Sequence, residues 1–185
     1  MTEVQEASLR ALSADPALER LDDLIGEFNL FDVLQIGHLE LQHSWLVAWL
    51  LDPSGSHRLR DAFLQAFLAQ AHAVARERGI EVPTPGDGVA WRSADVEVAR
   101  ERHYIDVLVL SESESLACII ENKIFSNEIP GQLRWYLETV RATYPRLRPF
   151  PIFLTPDGRK PLTERDRAAY VPLGYTHVAD IIDMV

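Results

Sequence analysis

Tyr104-Ile105-Asp106-Val107-Leu108-Val109-Leu110 is followed by Ser111-Glu112-Ser113-Glu114-Ser115 and then by Leu116-Ala117-Cys118-Ile119-Ile120-Glu121-Asn122-Lys123. The flanks are apolar and rich in β-branched residues, and the middle is short and polar. That pattern predicts two buried strands joined by a turn. Alternate side chains share a face of a strand. Asp106, Leu108 and Leu110 therefore fall together on one strand, and Ala117, Ile119, Glu121 and Lys123 on the next. If the turn pairs the strands, Asp106 and Glu121 lie at the same end of the hairpin. Whether they point to the same side depends on the register.

Three charges at the end of a buried hairpin are costly unless they pair or hold a metal. Two carboxylates and an ammonium group are also what metal-assisted phosphodiester hydrolysis needs. The chain has only two lysines, Lys123 and Lys160, and otherwise uses arginine. Placing Lys beside a buried carboxylate favours a compact point charge whose pKa responds to burial, which Arg is not. The blander reading is a Glu–Lys pair closing a strand. We take Asp106, Glu121 and Lys123 as the candidate catalytic core.

Working outward, residues 128–143 read as a helix carrying Gln132-Leu133-Arg134-Trp135-Tyr136. Gln132 and Tyr136 are four apart and share a helix face. A further strand is expected at 150–155, stopped by Pro156-Asp157-Gly158, with a short strand at 169–173 and a last helix from Thr176. Upstream, a first strand is expected at 91–99, after the Pro83–Gly88 loop. Three helices precede it, at 17–29, 38–51 and 57–77. The order is helices, a three-stranded meander, a helix and a strand, which is an α/β layer with a mixed central sheet.

The 38–51 helix and its end read Glu40-Leu41-Gln42-His43-Ser44-Trp45-Leu46-Val47-Ala48-Trp49-Leu50-Leu51-Asp52-Pro53-Ser54-Gly55-Ser56-His57. With the hairpin and the Gln-x-x-x-Tyr pair, this set resembles the PD-(D/E)XK nuclease superfamily, and in particular its family 4, a bacterial branch. The resemblance spans roughly residues 38–175. It implies a restriction endonuclease-like αβββαβ core, with N-terminal helices added. Asp106 matches the acidic residue of the second strand, although Ile105 stands where the motif has Pro. Glu121-Asn122-Lys123 matches the (D/E)-x-K, and Gln132 with Tyr136 matches the motif of RecB-like members.

The resemblance further implies a divalent cation, Mg²⁺ or Mn²⁺, held by Asp106 and Glu121, with Glu40 as the helix carboxylate that completes the site. Lys123 would orient the attacking water, and the products would carry 5′-phosphate and 3′-hydroxyl ends. Gln132 would position substrate, and Tyr136 would contact phosphate or brace the helix. His43, three residues after Glu40, is read as supporting the ligands from behind or as structural, with direct ligation the other option. His57 is read as anchoring the Pro-Ser-Gly loop. Glu97, on the first strand, is a candidate to approach the site, with Glu101 the alternative, and neither is given a role.

Composition sets the outer bounds. Residues 1–37 hold eight acidic side chains against two arginines and are expected to form an acidic helical extension, leaving 38–185 as the nuclease-like domain. The net charge of −10 argues weakly against nucleic acid. Residues 141–167 soften this, with seven basic side chains against three acidic ones. A single cysteine, Cys118, excludes an internal disulfide framework and reads as a small core residue. No apolar run is long enough for a bilayer, and the polar, acidic N-terminus is unlike a signal peptide. The expectation is a cytoplasmic enzyme acting on nucleic acid, with DNA favoured over RNA and a homodimer left open. The apolar end, Ile181 to Val185, leaves open a fragment of a longer chain. The competing readings are a nuclease fold that binds nucleic acid or protein without cutting, and an unrelated α/β domain with a structural ion pair.

Overall fold

The hairpin that opens the sequence argument forms in the computed structural model, which describes residues 39–84 and 95–185. Strands β2 (Val107–Ser111) and β3 (Leu116–Asn122) pair antiparallel, from Val107 opposite Ile120 to Ser111 opposite Leu116. Asp95 fastens the turn between them. Its Oδ1 accepts hydrogen bonds from the Ser111 and Ser113 hydroxyls at 2.8 and 2.7 Å, and its Oδ2 accepts the Ser113 N–H at 2.7 Å. These bonds, those of Ser113 above all, hold the Asp95 carboxyl down at a pKa of about 2. A turn fixed in this way leaves no freedom for the register to slip.

Strand β1 (Glu97–Arg100) adds antiparallel to β2. Strands β4 (Arg148–Thr155) and β5 (Val171–Gly174) add parallel on the other side. The sheet is mixed, five-stranded and ordered β1-β2-β3-β4-β5. Pro149 and Pro151 fall in the half of β4 that pairs with β3 only, since pairing to β5 starts at Ile152. There the missing N–H groups cost no ladder bond to β5.

Helices cover both faces. On one face lie α1 (Glu40–Leu51), α2 (Ala62–Arg78) and α5 (Tyr175–Met184). Their Val47, Leu51, Phe63, Phe67, Val178 and Ile181 pack on Val107, Val109, Cys118, Ile120, Ile152 and Leu154. On the other face α3 (Gln132–Thr143) packs Leu133, Tyr136, Leu137 and Val140 on Leu108, Ala117, Ile119 and Phe153. The spacing i, i+3, i+4, i+7 is the buried stripe of an amphipathic helix. Each of its aliphatic side chains contributes roughly 1.5–3 kcal/mol on burial. The architecture is α/β with a mixed sheet flanked by helices, as the sequence suggests.

Several boundaries differ from expectation for local reasons. The second described helix starts at Ala62, not residue 57. Arg58 and Arg60 have φ of 66° and 55°, a left-handed backbone outside the α-helical region. His57 stabilises that turn, with Nδ1 accepting the Leu59 N–H and Nε2 donating to the Asp52 carbonyl, both at 2.9 Å. Gly55 lies so close that a Cβ there would fall 2.6 Å from the His57 ring. Strand β2 starts at Val107, not 104, because residues 102–104 form a 3₁₀ turn. Helix α3 starts at Gln132, after Pro130 and Gly131, not at Glu128.

Strand β4 begins two residues earlier than expected, and β5 occupies 171–174. Helix α5 begins one residue early, at Tyr175. A short helix α4 (Glu164–Ala169) was not anticipated; the Thr163 hydroxyl caps it by accepting the Asp166 N–H at 3.1 Å. Only part of the strand expected at 91–99 falls within the described residues, and β1 occupies 97–100. The helix at 17–29 and the extension 1–37 lie outside them.

Candidate active site

Asp106 stands one residue before β2. Since Val107 faces Ile120, the next position in register sets Asp106 against Glu121. Asp106 Oδ2 also accepts the backbone N–H of Asn122 at 2.8 Å. The two carboxylates therefore meet across the end of the hairpin, on the face covered by α3. Lys123 follows β3 directly, and its N–H still bonds the Leu154 carbonyl at 2.9 Å. Its Nζ lies 2.7 Å from Glu121 Oε1.

Glu121 is the unusual group. It is 0% exposed, and beyond that ion pair neither carboxylate oxygen has a well-directed hydrogen bond. Burial first, and then the Asp106 charge, push its pKa up to about 7; Lys123 offsets only part of this. Burial likewise raises Asp106, against the pull of the Asn122 N–H and Lys123. Burial lowers Lys123, but the charges of Glu121, Asp106 and Glu40 outweigh it, so the ammonium form is favoured. Two facing carboxylates, one without directed donors, form a centre that gains from a cation. Hard oxygen donors suit Mg²⁺ or Mn²⁺. On this ground the residues present fit a divalent ion.

Glu40 stands close enough for its charge to act on Asp106 and Lys123. Its Oε1 accepts three consecutive backbone N–H groups, of Ile124, Phe125 and Ser126, at 2.8, 3.0 and 2.8 Å. Its Oε2 accepts the Ser126 hydroxyl at 2.7 Å. Burial raises its pKa, but these bonds outweigh burial and the net shift is downward. Both oxygens are thus engaged by the segment that follows Lys123. Among the described residues no three His, Cys, Asp or Glu side chains converge as a metal-holding group. The geometry is of two facing carboxylates with a third, Glu40, tied to the adjoining loop.

Gln132 and Tyr136 meet one helical turn apart. Gln132 Nε2 donates to the Tyr136 hydroxyl at 2.6 Å, and that hydroxyl donates to the Tyr104 carbonyl at 2.7 Å. Burial and then the Glu121 charge raise the Tyr136 pKa, so it stays neutral. Gln132 Oε1 is buried without a partner. His43 lies on the opposite side of the sheet, edge-on to Tyr175 with ring centroids 5.8 Å apart. Tyr175 donates to Asn122 Oδ1 at 3.1 Å, so His43 stands two contacts behind the site. Glu97 pairs with Arg102.

Sequence reasoning passed over the Asn122 side chain. Its Nδ2 donates to Ser44 Oγ at 3.1 Å, which ties β3 to α1 while Tyr175 ties it to α5. Its place inside Glu-x-Lys is the available signal. Arg159 was also missed. It donates to the Ser126 carbonyl at 3.4 Å and lies 5.5 Å over the Phe153 ring. Phe153 is the β4 partner of Glu121. One residue of the basic 141–167 segment therefore reaches the edge of the site.

A mixed sheet with an acidic residue at the head of its second strand and Glu-x-Lys ending its third defines a restriction endonuclease-like fold. A model of the PD-(D/E)XK nuclease superfamily, that of its family 4, matches residues 28–185, and the chain belongs to this superfamily. No curated protein and no solved structure matches it.

Proposed function

We propose that this chain is a metal-dependent nuclease that hydrolyses phosphodiester bonds in DNA. The observation that carries the reading is Glu121: a fully buried carboxylate with no directed hydrogen bond, set against Asp106 and paired to Lys123. Two facing buried carboxylates that share one ammonium group are costly without a cation. In this reading Asp106 and Glu121 hold Mg²⁺ or Mn²⁺. When bound, the ion supplies Lewis-acid polarisation of the scissile phosphate and acidifies water.

The other residues then have separate tasks. Lys123 orients the attacking water and offsets charge that grows on the phosphate. Gln132 helps to position substrate. Tyr136, neutral and doubly hydrogen-bonded, braces α3 against the turn before Asp106. Glu40 fixes the segment after Lys123 and so fixes where the ammonium group stands. His43 supports Asn122 from behind through Tyr175. Arg159 adds positive charge at the site's edge for a phosphate backbone. We place the enzyme in the cytoplasm; among the described residues no helix is long and apolar enough to cross a membrane.

The engagement of Glu40 by the loop favours one second reading, a nuclease fold that binds nucleic acid without cutting. One experiment separates them. Purified protein is incubated with linear duplex, supercoiled plasmid, single-stranded DNA and RNA, with Mg²⁺, Mn²⁺ or chelator, beside Asp106→Ala. Cutting that needs the cation and is lost in the variant supports the nuclease. Nucleic-acid binding with no cutting under any condition replaces it with the binding module. Undiminished cutting by the variant overturns the site.

A further inference from the structure

Tyr104 lies two residues from Asp106 and is 82% exposed. Its backbone has φ of 59°, within a turn where Glu101 and His103 are also left-handed. A bulky side chain there is a genuine outlier, and such conformations persist only where the surroundings enforce them. The enforcing contacts are present. The Tyr104 N–H bonds the Glu101 carbonyl at 3.1 Å, and the Ile105 N–H bonds the Arg102 carbonyl at 3.1 Å. The Tyr104 carbonyl takes the Tyr136 hydroxyl at 2.7 Å. The backbone that turns this carbonyl in towards Tyr136 leaves its ring outside.

A second ring stands beside it. Trp135 precedes Tyr136 on α3 and is 45% exposed. Its ring centroid lies 6.1 Å from that of Tyr104, at an interplanar angle of 51°. The same indole lies 5.6 Å from the Tyr136 ring, which sits inside the site. One ring thus comes from the residue two before Asp106, and the other from the residue before Tyr136. The pair is continuous with the candidate active site through those two short links.

Resting on the nuclease reading above, we propose that Tyr104 and Trp135 form a stacking platform for an unpaired nucleobase next to the scissile phosphate. Exposed aromatic faces take any base, because every base has a π-face. Bases inside a duplex are already stacked on their neighbours, and presenting one to the rings requires unstacking it. The substrate class that fits is therefore a strand with unpaired bases at the cleavage point: single-stranded nucleic acid, an overhang or a flap. A blunt duplex gains nothing from the platform.

The test measures binding of a dye-labelled single strand and of a blunt duplex of the same length, by anisotropy in chelator, for the full chain. Tyr104→Ala and Trp135→Ala are compared with Tyr104→Phe and Trp135→Phe, and cleavage with Mn²⁺ is followed on the same oligonucleotides. Alanine at either position weakens single-strand binding by about tenfold, within the span that such substitutions give for a base–aromatic stack. Phenylalanine restores most of the loss, and duplex binding is unmoved.

Equal losses on both forms, or none on the single strand, overturn the platform while leaving the nuclease standing if wild type still cuts. A fall in self-association with strand binding intact would make the rings a contact between copies and overturn it too. If the unaltered chain binds no nucleic acid at all, the nuclease reading and the platform fail together. Cysteine-labelling of Cys118 under native conditions checks the fold of each variant, since that thiol is fully buried in β3.

Discussion

Glu40 holds Ser126 by both carboxylate oxygens, Oε1 on its backbone N–H at 2.8 Å and Oε2 on its hydroxyl at 2.7 Å. The two residues are 86 positions apart, and between them runs the whole β1–β3 meander. Glu40 opens α1, where the helix N-terminus also favours negative charge. One side chain therefore locks the helix start to the segment after Lys123.

Replacing Glu40 with Gln is expected to lower stability by about 1.5–3 kcal/mol, the range for hydrogen bonds to a charged group. Amide exchange should identify where: the N–H groups of Ile124, Phe125 and Ser126 lose protection, while the β2–β3 ladder keeps its own. Unchanged protection at those three amides would contradict the assigned contact.

Glu121 makes stability fall with pH in the absence of divalent ions. Its folded pKa of about 7 lies above the ordinary 4.5, so the folded state binds the extra proton between the two values. Its contribution is complete below about 4.5 and lost as pH rises through about 7. Melting temperatures in chelator should decline across that window, and Glu121→Gln should flatten the decline. A metal-free stability that rises across it would show that Glu121 titrates at an ordinary pKa.

Divalent ions should reverse the trend. If the proposed site holds Mg²⁺ or Mn²⁺, the ion competes with the proton on Glu121, and its stabilising effect should grow as pH passes about 7. At a hundred times its dissociation constant an ion bound only to the folded state adds about 2.7 kcal/mol. Asp106→Asn should remove most of that gain, as read by thermal melts with and without Mn²⁺.

On the proposed mechanism, in which the ammonium group serves water and phosphate rather than the ion, Lys123→Ala should abolish turnover while retaining divalent binding. Arginine there is not expected to rescue: a planar fork does not replace a point charge in a buried pocket. Isothermal titration with Mn²⁺ beside a plasmid-cleavage assay checks both halves, and loss of ion binding in the alanine variant would reassign the residue to holding the site together.

Tyr136→Phe leaves the Tyr104 carbonyl without its donor and Gln132 Nε2 without its acceptor. The expected loss is about 1–3 kcal/mol if neither finds water. Chemical denaturation measures it. A neutral result would mean that solvent already reaches the turn.

The hairpin was legible because period-two alternation and a Glu-x-Lys ending are local features. The parity argument gave Asp106 and Glu121 the same end, and the turn tied by Asp95 supplied the register that sequence alone left open. The bonds of Glu40 to Ser126 and of Tyr175 to Asn122 were not legible, since each joins residues more than fifty positions apart and leaves no spacing signal. Helix α4 is too short for a period to show. The turns at 57–60 and 101–104 put Arg, Glu, His and Tyr where Gly or Asn would have announced a left-handed backbone. Trp45 and Trp49 are 44% and 41% exposed, four residues apart on α1.

The Tyr175–Asn122 bond carries a consequence for synthesis. Residues leave the ribosome in order, so Glu40 emerges first, the charged hairpin next, and Tyr175 after β4 and β5. Until α5 arrives, Asn122 lacks one of its two braces and Cys118, Ile120 and Ile152 lack part of their cover. A copy that ended before Tyr175 would keep the Ser44 bond to Asn122 Nδ2 and lose the hydroxyl that holds Asn122 Oδ1.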